Sequence, residues 1–416
     1  MSVLSTLSRM YLTRSLKPFV FTDNNESHIE YQELMNLGLY VHIPFCRSIC
    51  KFCPYCKVKY DPDVADKYID ALLMEIDLVC AGKKKRKATS VYFGGGSPAL
   101  LSDRIGEIIA RLATYFDIEE GAGIELHPGD VKEETLDRLR KAGVSKISIG
   151  IQSFNNKYQH TLGRKHIDIE NLRRMLSAFH FETVSMDFIF ALPGQTFEDL
   201  QKDLDTAFEA GANHVAIYPF INFAFTKNEI SEMKKGEKRL LLDRITSYLL
   251  DQGCVRKSIW TFASEEDVSY SSMTRDNFLG FGCSATTLLE RSFKINTFSV
   301  EDYIRLVNAA CLPTSLTIQF TLRQRMIYYL FWALYGYKMN VEDFEAFFGK
   351  DFKTYYGREF ALAEKLGFLV KENNAYHMTL KGAFYYHHYE NFYTYSYIDK
   401  MWGVLSRNAF PKTIRL

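Results

Sequence analysis

Gly38-Leu39-Tyr40-Val41-His42-Ile43-Pro44-Phe45-Cys46-Arg47-Ser48-Ile49-Cys50-Lys51-Phe52-Cys53-Pro54-Tyr55-Cys56 places four thiols within eleven residues, directly after a short apolar run. Gly38 to Pro44 has the β-branched and aromatic content of a strand. Cys46, Cys50 and Cys53 then follow at C-x3-C-x2-C spacing. Three thiolates on a loop after a strand can hold three irons of a 4Fe-4S cluster and leave the fourth iron open to a non-protein ligand. Counted together with Cys56, the same thiols also make a closed set of four for zinc. The other four of the eight cysteines, Cys80, Cys254, Cys283 and Cys311, stand in apolar surroundings and read as inert core thiols.

Outward from this loop, short strand-like runs alternate with helix-period segments. Further strands are predicted at Ser90 to Phe93, Gly123 to His127, Lys146 to Ile151, Val184 to Phe190 and His214 to Pro219. After the first strand, Tyr68, Leu72, Leu73, Ile76 and Val79 recur every three or four residues behind the start signal Asp61-Pro62-Asp63. Helices also fit Asp103 to Tyr115, Glu133 to Ala142, Ile169 to Phe179 and Thr196 to Ala210. Six β-then-α units argue for an α/β fold, a partial (β/α)6 barrel of parallel strands with its site at their C-terminal ends. The chain divides into a basic lead-in over 1–37, the partial barrel over 38–245, an irregular strand-and-loop extension over 246–320 and a C-terminal helical, winged-helix-like domain over 321–416. The lead-in reads as a strap lying on the barrel.

Composition narrows the function. Lys plus Arg (51) balance Asp plus Glu (50), so no global field draws the chain to nucleic acid or anionic lipid. The basic run Lys83 to Lys87 lies between a helix end and a strand and reads as a solvated loop. No apolar run reaches the length of a transmembrane helix. No signal peptide is visible, so the thiols belong to a reducing, cytoplasmic setting. Aromatic residues reach 15 %, which serves core packing and offers flat apolar surface to planar ligands.

Other features cluster at strand ends. Gly94-Gly95-Gly96-Ser97-Pro98 lets backbone approach a ligand closely. Glu125 offers a carboxylate for ribose hydroxyls, Gln152 and Arg164 follow at and after the fourth strand, and Asp187 is a carboxylate inside an apolar strand. Such a group is costly unless paired with Lys or Arg, or functional.

The cysteine triad within HIPFC, the GGGSP turn, IELHP, SIGIQSFN followed by LGRKH, DFIFALPGQT and GFGCSA occur in one order from about residue 38 to 300. Together they resemble the radical S-adenosylmethionine (SAM) superfamily, and within it the oxygen-independent coproporphyrinogen III oxidase family, which includes heme chaperones and anaerobic heme-degrading or porphyrin-modifying methyltransferases. The resemblance implies a 4Fe-4S cluster on Cys46, Cys50 and Cys53, with SAM, one or possibly two, as cofactor. It also implies a tetrapyrrole as substrate or ligand and an external electron donor such as flavodoxin or ferredoxin. Tyr40 and Phe52 would pack near the cluster and SAM, Gly95, Gly96 and Ser97 would line the methionine end, and Glu125, Gln152, Arg164 and Asp187 would complete the contacts. Thr286, after GFGCSA, stands where part of a second SAM pocket is built in that family. Cys56 falls one residue later than the accessory cysteine of the oxidases. A monomer is the default assembly.

Overall fold

The computed structural model describes residues 10–23, 28–226, 228–268, 270 and 276–416, apart from the side chains of 387–396. Six parallel strands form the body of the sheet: β1 (Leu37–Ile43), β2 (Val91–Gly95), β3 (Ala122–Leu126), β4 (Val144–Gln152), β5 (Thr183–Phe190) and β6 (His214–Pro219). They lie side by side in sequence order. Helices α1 (Pro62–Cys80), α2 (Ile105–Tyr115), α3 (Glu133–Lys141), α4 (Ile169–Ala178), α5 (Phe197–Glu209) and α6 (Lys235–Asp251) follow the strands in turn. The order is that of right-handed β-α-β winding, so every C-terminal strand end opens on one rim.

Local chemistry sets the element limits. Asp61 caps α1, its carboxylate accepting from the Val64 amide at 3.1 Å, and Pro62 stands at the first turn, where a missing N–H costs nothing. Tyr68, Leu72, Ile76 and Val79 bury one face of this helix. Thr196 and Asp199 form a reciprocal capping box at the start of α5.

The strand-and-loop extension adds strands to the same sheet. Strand β7 (Asn277–Phe281) pairs parallel to β1 on the side away from β2, and β8 (Thr286–Leu288), β9 (Ser292–Asn296) and β10 (Thr314–Gln319) continue antiparallel beyond it. Short strands and a central Gly-rich stretch hid this order from the periodicity. The lead-in supplies strand Val20–Thr22, paired with β10 and with Thr413–Arg415. Its residues 1–9 lie outside the described part. The basic run is not simply solvated. Arg86 donates to the carbonyls of Tyr31, Gln32 and Leu34, and the Lys83 ammonium sits 4.3 Å from the Tyr31 ring centre, so two of its cations fasten the lead-in.

Helices α7 (Val300–Asn308) and α8 (Leu322–Tyr335) lead to two further helices, Val341–Phe348 and Phe352–Lys365, and to a three-stranded sheet of Lys338–Asn340, Ala375–Met378 and Leu369–Glu372. Many of the aromatics are used here. Rings of Phe344 and Phe348 lie 4.7 Å apart and those of Phe352 and Phe360 4.9 Å apart. No helix among the described residues is long and apolar enough to cross a membrane.

Candidate functional site

The cysteine loop hangs from the C-terminal end of β1. Phe45–Cys46 pairs with Val58–Lys59, and the Tyr60 amide donates to the Cys46 carbonyl at 2.9 Å, so both ends of the loop are clamped. Cys46, Cys50 and Cys53 are all partly exposed. Burial and the neighbouring thiols of Cys53 and Cys50 push Cys46 up to about 12, and burial raises Cys53. Uncharged thiols are the stable form of such a group until a metal supplies positive charge. Among the described residues no three His, Cys, Asp or Glu side chains stand ready to hold a metal ion. The Lys57 ammonium donates to the Cys53 carbonyl at 2.6 Å, and the Arg164 guanidinium lies against the Cys50 thiol. Phe52 turns inward onto the cluster formed by Tyr158, Leu162, Ile189, Leu192 and Phe220.

Cys56 leaves this group. Its sulfur lies 3.8 Å from that of Cys283 and 3.4 Å from the Phe298 carbonyl, facing the turn after β7. Cys283 lies in the core as expected, with this second thiol beside it, whereas Cys311 is exposed, not buried.

The glycine turn ends β2 beside the loop. Gly95 has φ +120°, and a Cβ there would stand 2.7 Å from the His42 ring. A Cβ on Gly96 would meet the Phe45 carbonyl at 2.6 Å, so only glycine lets the two chains pass. The amides of Gly96 and buried Ser97 donate to the Ile43 and Phe45 carbonyls, both at 2.8 Å.

Glu125 and Asp187 face the interior from β3 and β5. Glu125 accepts from the Gly95 amide at 3.1 Å and from the Tyr92 hydroxyl at 3.3 Å. The Ser148 hydroxyl donates to the Asp187 carboxylate, at 2.9 and 3.0 Å to its two oxygens. Neither carboxylate makes an ion pair among the described residues; the Arg164 charge acts on Asp187 only from a greater distance. Burial raises both to about 7, and for Glu125 the Asp187 charge adds to it. Gln152 ends β4 at φ +72°, unusual for a residue with a side chain. Its amide reaches back over Gly150, whose carbonyl accepts from the Arg164 guanidinium. The Arg164 Nε is buried with no partner. Thr286 stands apart at the start of β8, its backbone packed on Gly280.

Several site residues carry no sequence signal of their own. His42 bridges Tyr40 Oη (3.1 Å), the Cys56 carbonyl (3.0 Å) and Ser284 Oγ (3.3 Å), and burial lowers it to about 4, so it is neutral. Glu75 on α1 accepts from the Gly282 amide at 2.7 Å, the Tyr303 hydroxyl at 2.6 Å and Asn296 Nδ2 at 2.9 Å, fixing the turn after β7. Tyr55 and Tyr218 keep 54 % and 41 % of their surface free. Trp402 lies 5.6 Å from the Tyr55 ring, so the C-terminal region covers the cysteine loop. The C-terminal aromatic residues within 387–396 lie outside the described side chains.

Residues 40–207, which hold the strand-end thiols, the glycine turn and the interior carboxylates, match the radical SAM superfamily. The match covers less than half of this chain, and the superfamily it points to implies a 4Fe-4S cluster and SAM. Its relatives are named within one group. It is 35 % identical over 188 residues to "Heme chaperone HemW" of Lactococcus lactis, a match spanning 44 % of this chain and about half (48 %) of that relative. It is 28 % identical over 69 % of its length to "Heme chaperone HemW" of Bacillus subtilis, covering 80 % of the latter. It is 27 % identical to the "Oxygen-independent coproporphyrinogen III oxidase" of Escherichia coli, over 65 % of each chain. The fold superposes on the solved coproporphyrinogen III oxidase (HemN) of Escherichia coli with a TM-score of 0.76 at 21 % identity, covering 91 % of this chain and 97 % of that one.

Proposed function

We propose that the chain binds a 4Fe-4S cluster through Cys46, Cys50 and Cys53 and SAM beside it, and acts as a radical enzyme on a tetrapyrrole. The observation that carries this is the pair Glu125 and Asp187, half-buried, forming no ion pair among the described residues, and facing the same interior as the glycine turn. A ligand bearing a sulfonium, an ammonium and a ribose diol supplies positive charge and further donors to them. When bound, the reduced cluster and SAM supply a 5'-deoxyadenosyl radical that removes a hydrogen atom from substrate.

The chain's residues hold and orient. Gly95, Gly96 and Ser97 line the methionine end. Glu125 and Asp187 take hydroxyls and positive charge, while Gln152 and Arg164 hold the carboxylate side and Arg164 offsets thiolate charge at Cys50. Tyr40 and Phe52 exclude water from the cluster side. Thr286 belongs to a pocket for a second SAM. Tyr55 and Tyr218 give a flat wall suited to a macrocycle. A one-electron donor of the flavodoxin or ferredoxin class provides reduction.

A second reading has its own support in the relatives named heme chaperone: cluster and SAM retained, heme bound and passed on without turnover. One experiment separates the two. After anaerobic reconstitution and reduction, 5'-deoxyadenosine is quantified with SAM alone, with heme and with coproporphyrinogen III. Stimulation by one tetrapyrrole, with a matching change in its mass, establishes the enzyme; heme binding without turnover establishes the chaperone; no cluster at all overturns both.

A further inference from the structure

The thiols of Cys56 and Cys283 lie 227 residues apart in sequence and 3.8 Å apart in space. Neither belongs to the C-x3-C-x2-C triad. Each sulfur is held by its own carbonyl, Cys56 by Phe298 at 3.4 Å and Cys283 by Thr297 at 3.1 Å. The backbone beneath Cys283 is equally fixed, its amide donating to the Tyr68 hydroxyl at 2.8 Å and the neighbouring Gly282 amide to Glu75. Two elements with independent supports therefore present their sulfurs to each other. A disulfide has a sulfur separation of about 2.05 Å, so only a short further approach is needed.

We propose that Cys56 and Cys283 are a reversible disulfide site, oxidised by hydrogen peroxide, that ties the cysteine loop to the turn after β7. Cys56 is partly exposed and Cys283 fully buried, which fixes the order of events. The Cys56 sulfur attacks one peroxide oxygen, breaking the O–O bond and leaving a sulfenic acid and water. The Cys283 sulfur then attacks the Cys56 sulfur, the S–O bond breaks, the S–S bond forms and a second water leaves with the Cys283 proton. Two thiols and one peroxide give one disulfide and two waters. Hydrogen bonding from Cys283 and Ser284, together with Lys57, holds Cys56 below the usual thiol range, while burial keeps Cys283 protonated, in agreement with Cys56 as the attacking group. The link reaches the glycine turn through His42, which touches both the Cys56 carbonyl and Ser284 and lies under Gly95. The proposal concerns the chain's own thiols and does not rest on the cofactor reading.

The test uses the full chain, purified anaerobically, treated with equimolar hydrogen peroxide, alkylated and digested with trypsin. Cleavage places Cys56 in Phe52–Lys57, together with Cys53, and Cys283 alone in Asp276–Arg291. The expected product is these two peptides joined, with Cys53 alkylated, two hydrogens lighter than the sum of the Cys53-alkylated peptide and its partner, and separated by dithiothreitol. Cys56→Ser should abolish the link and Cys53→Ser should keep it. A link that survives in Cys56→Ser, or a Cys283 still alkylated as a free thiol after Cys56 has been oxidised, overturns the proposal.

Discussion

Asp187→Asn is expected to stabilise the ligand-free protein at pH 8 and to leave it unchanged near pH 4. In the fold, burial is the main cause that raises this carboxyl from 3.8 to about 7, so the neutral acid is the favoured form. A raised folded-state pKa contributes stability that is whole below 3.8 and is lost as pH climbs through 7. Three pH units at about 1.4 kcal/mol each give an upper bound of about 4 kcal/mol. Asparagine cannot ionise and keeps an acceptor for the Ser148 hydroxyl, so the variant escapes that loss. For a cooperative chain of this size the gain at pH 8 corresponds to about 5 °C in unfolding midpoint. Thermal unfolding of ligand-stripped wild type and variant between pH 4 and 8 should show an advantage that grows by about 1.4 kcal/mol per unit up to pH 7 and then levels off. The same variant should bind SAM more weakly, the exchange of stability for binding expected where a fold keeps a half-buried acid without an ion pair. No gain at pH 8, or a gain independent of pH, would refute the reasoning.

Gly95→Ala forces a side chain into φ +120° and onto the His42 ring; the strain and the displaced histidine contacts should lower the unfolding free energy by about 2–4 kcal/mol, read from urea denaturation, and an unchanged midpoint would count against the close packing described. Glu75→Ala leaves three donors without their acceptor and should cost about 3–6 kcal/mol in the same assay, with Glu75→Gln milder. Cys50→Ala should lose the brown absorbance of the reconstituted cluster while Cys56→Ala keeps it; loss in Cys56→Ala would bring that thiol back among the ligands.

The parallel half of the fold was legible because each strand is short, β-branched and followed by a helix whose apolar residues recur at three and four. The predicted and observed limits of His214–Pro219 coincide, and those of the helix around Ile105–Tyr115 differ by two residues at one end. The strands after residue 276 were not legible, since their order depends on pairing with β1 and not on local pattern. The thiol triad, the glycine turn and the isolated Asp187 stood out as residue types foreign to their surroundings. His42, Ser148 and Glu75 did not, because a histidine, a serine or a glutamate in an ordinary run gains its role only from partners distant in sequence. For the same reason the sequence showed Cys283 as core without its neighbour Cys56.

Strand β1, which carries the cysteine loop, is interior to the sheet, and one of its two neighbours is made long after it; Asn36 and Asp276, which meet beside this pairing, are 240 residues apart. At ordinary rates of synthesis that separation takes on the order of tens of seconds. Through that interval the loop has its glycine turn on one side and nothing on the other, since Gly282, Cys283 and Ser284 do not yet exist. Contacts of such long range also make closure slow once the chain is complete. Loading of any metal that needs the finished wall is therefore confined to the released, folded chain, and a nascent or truncated product ending before residue 277 keeps its thiols exposed to solvent and to oxidation.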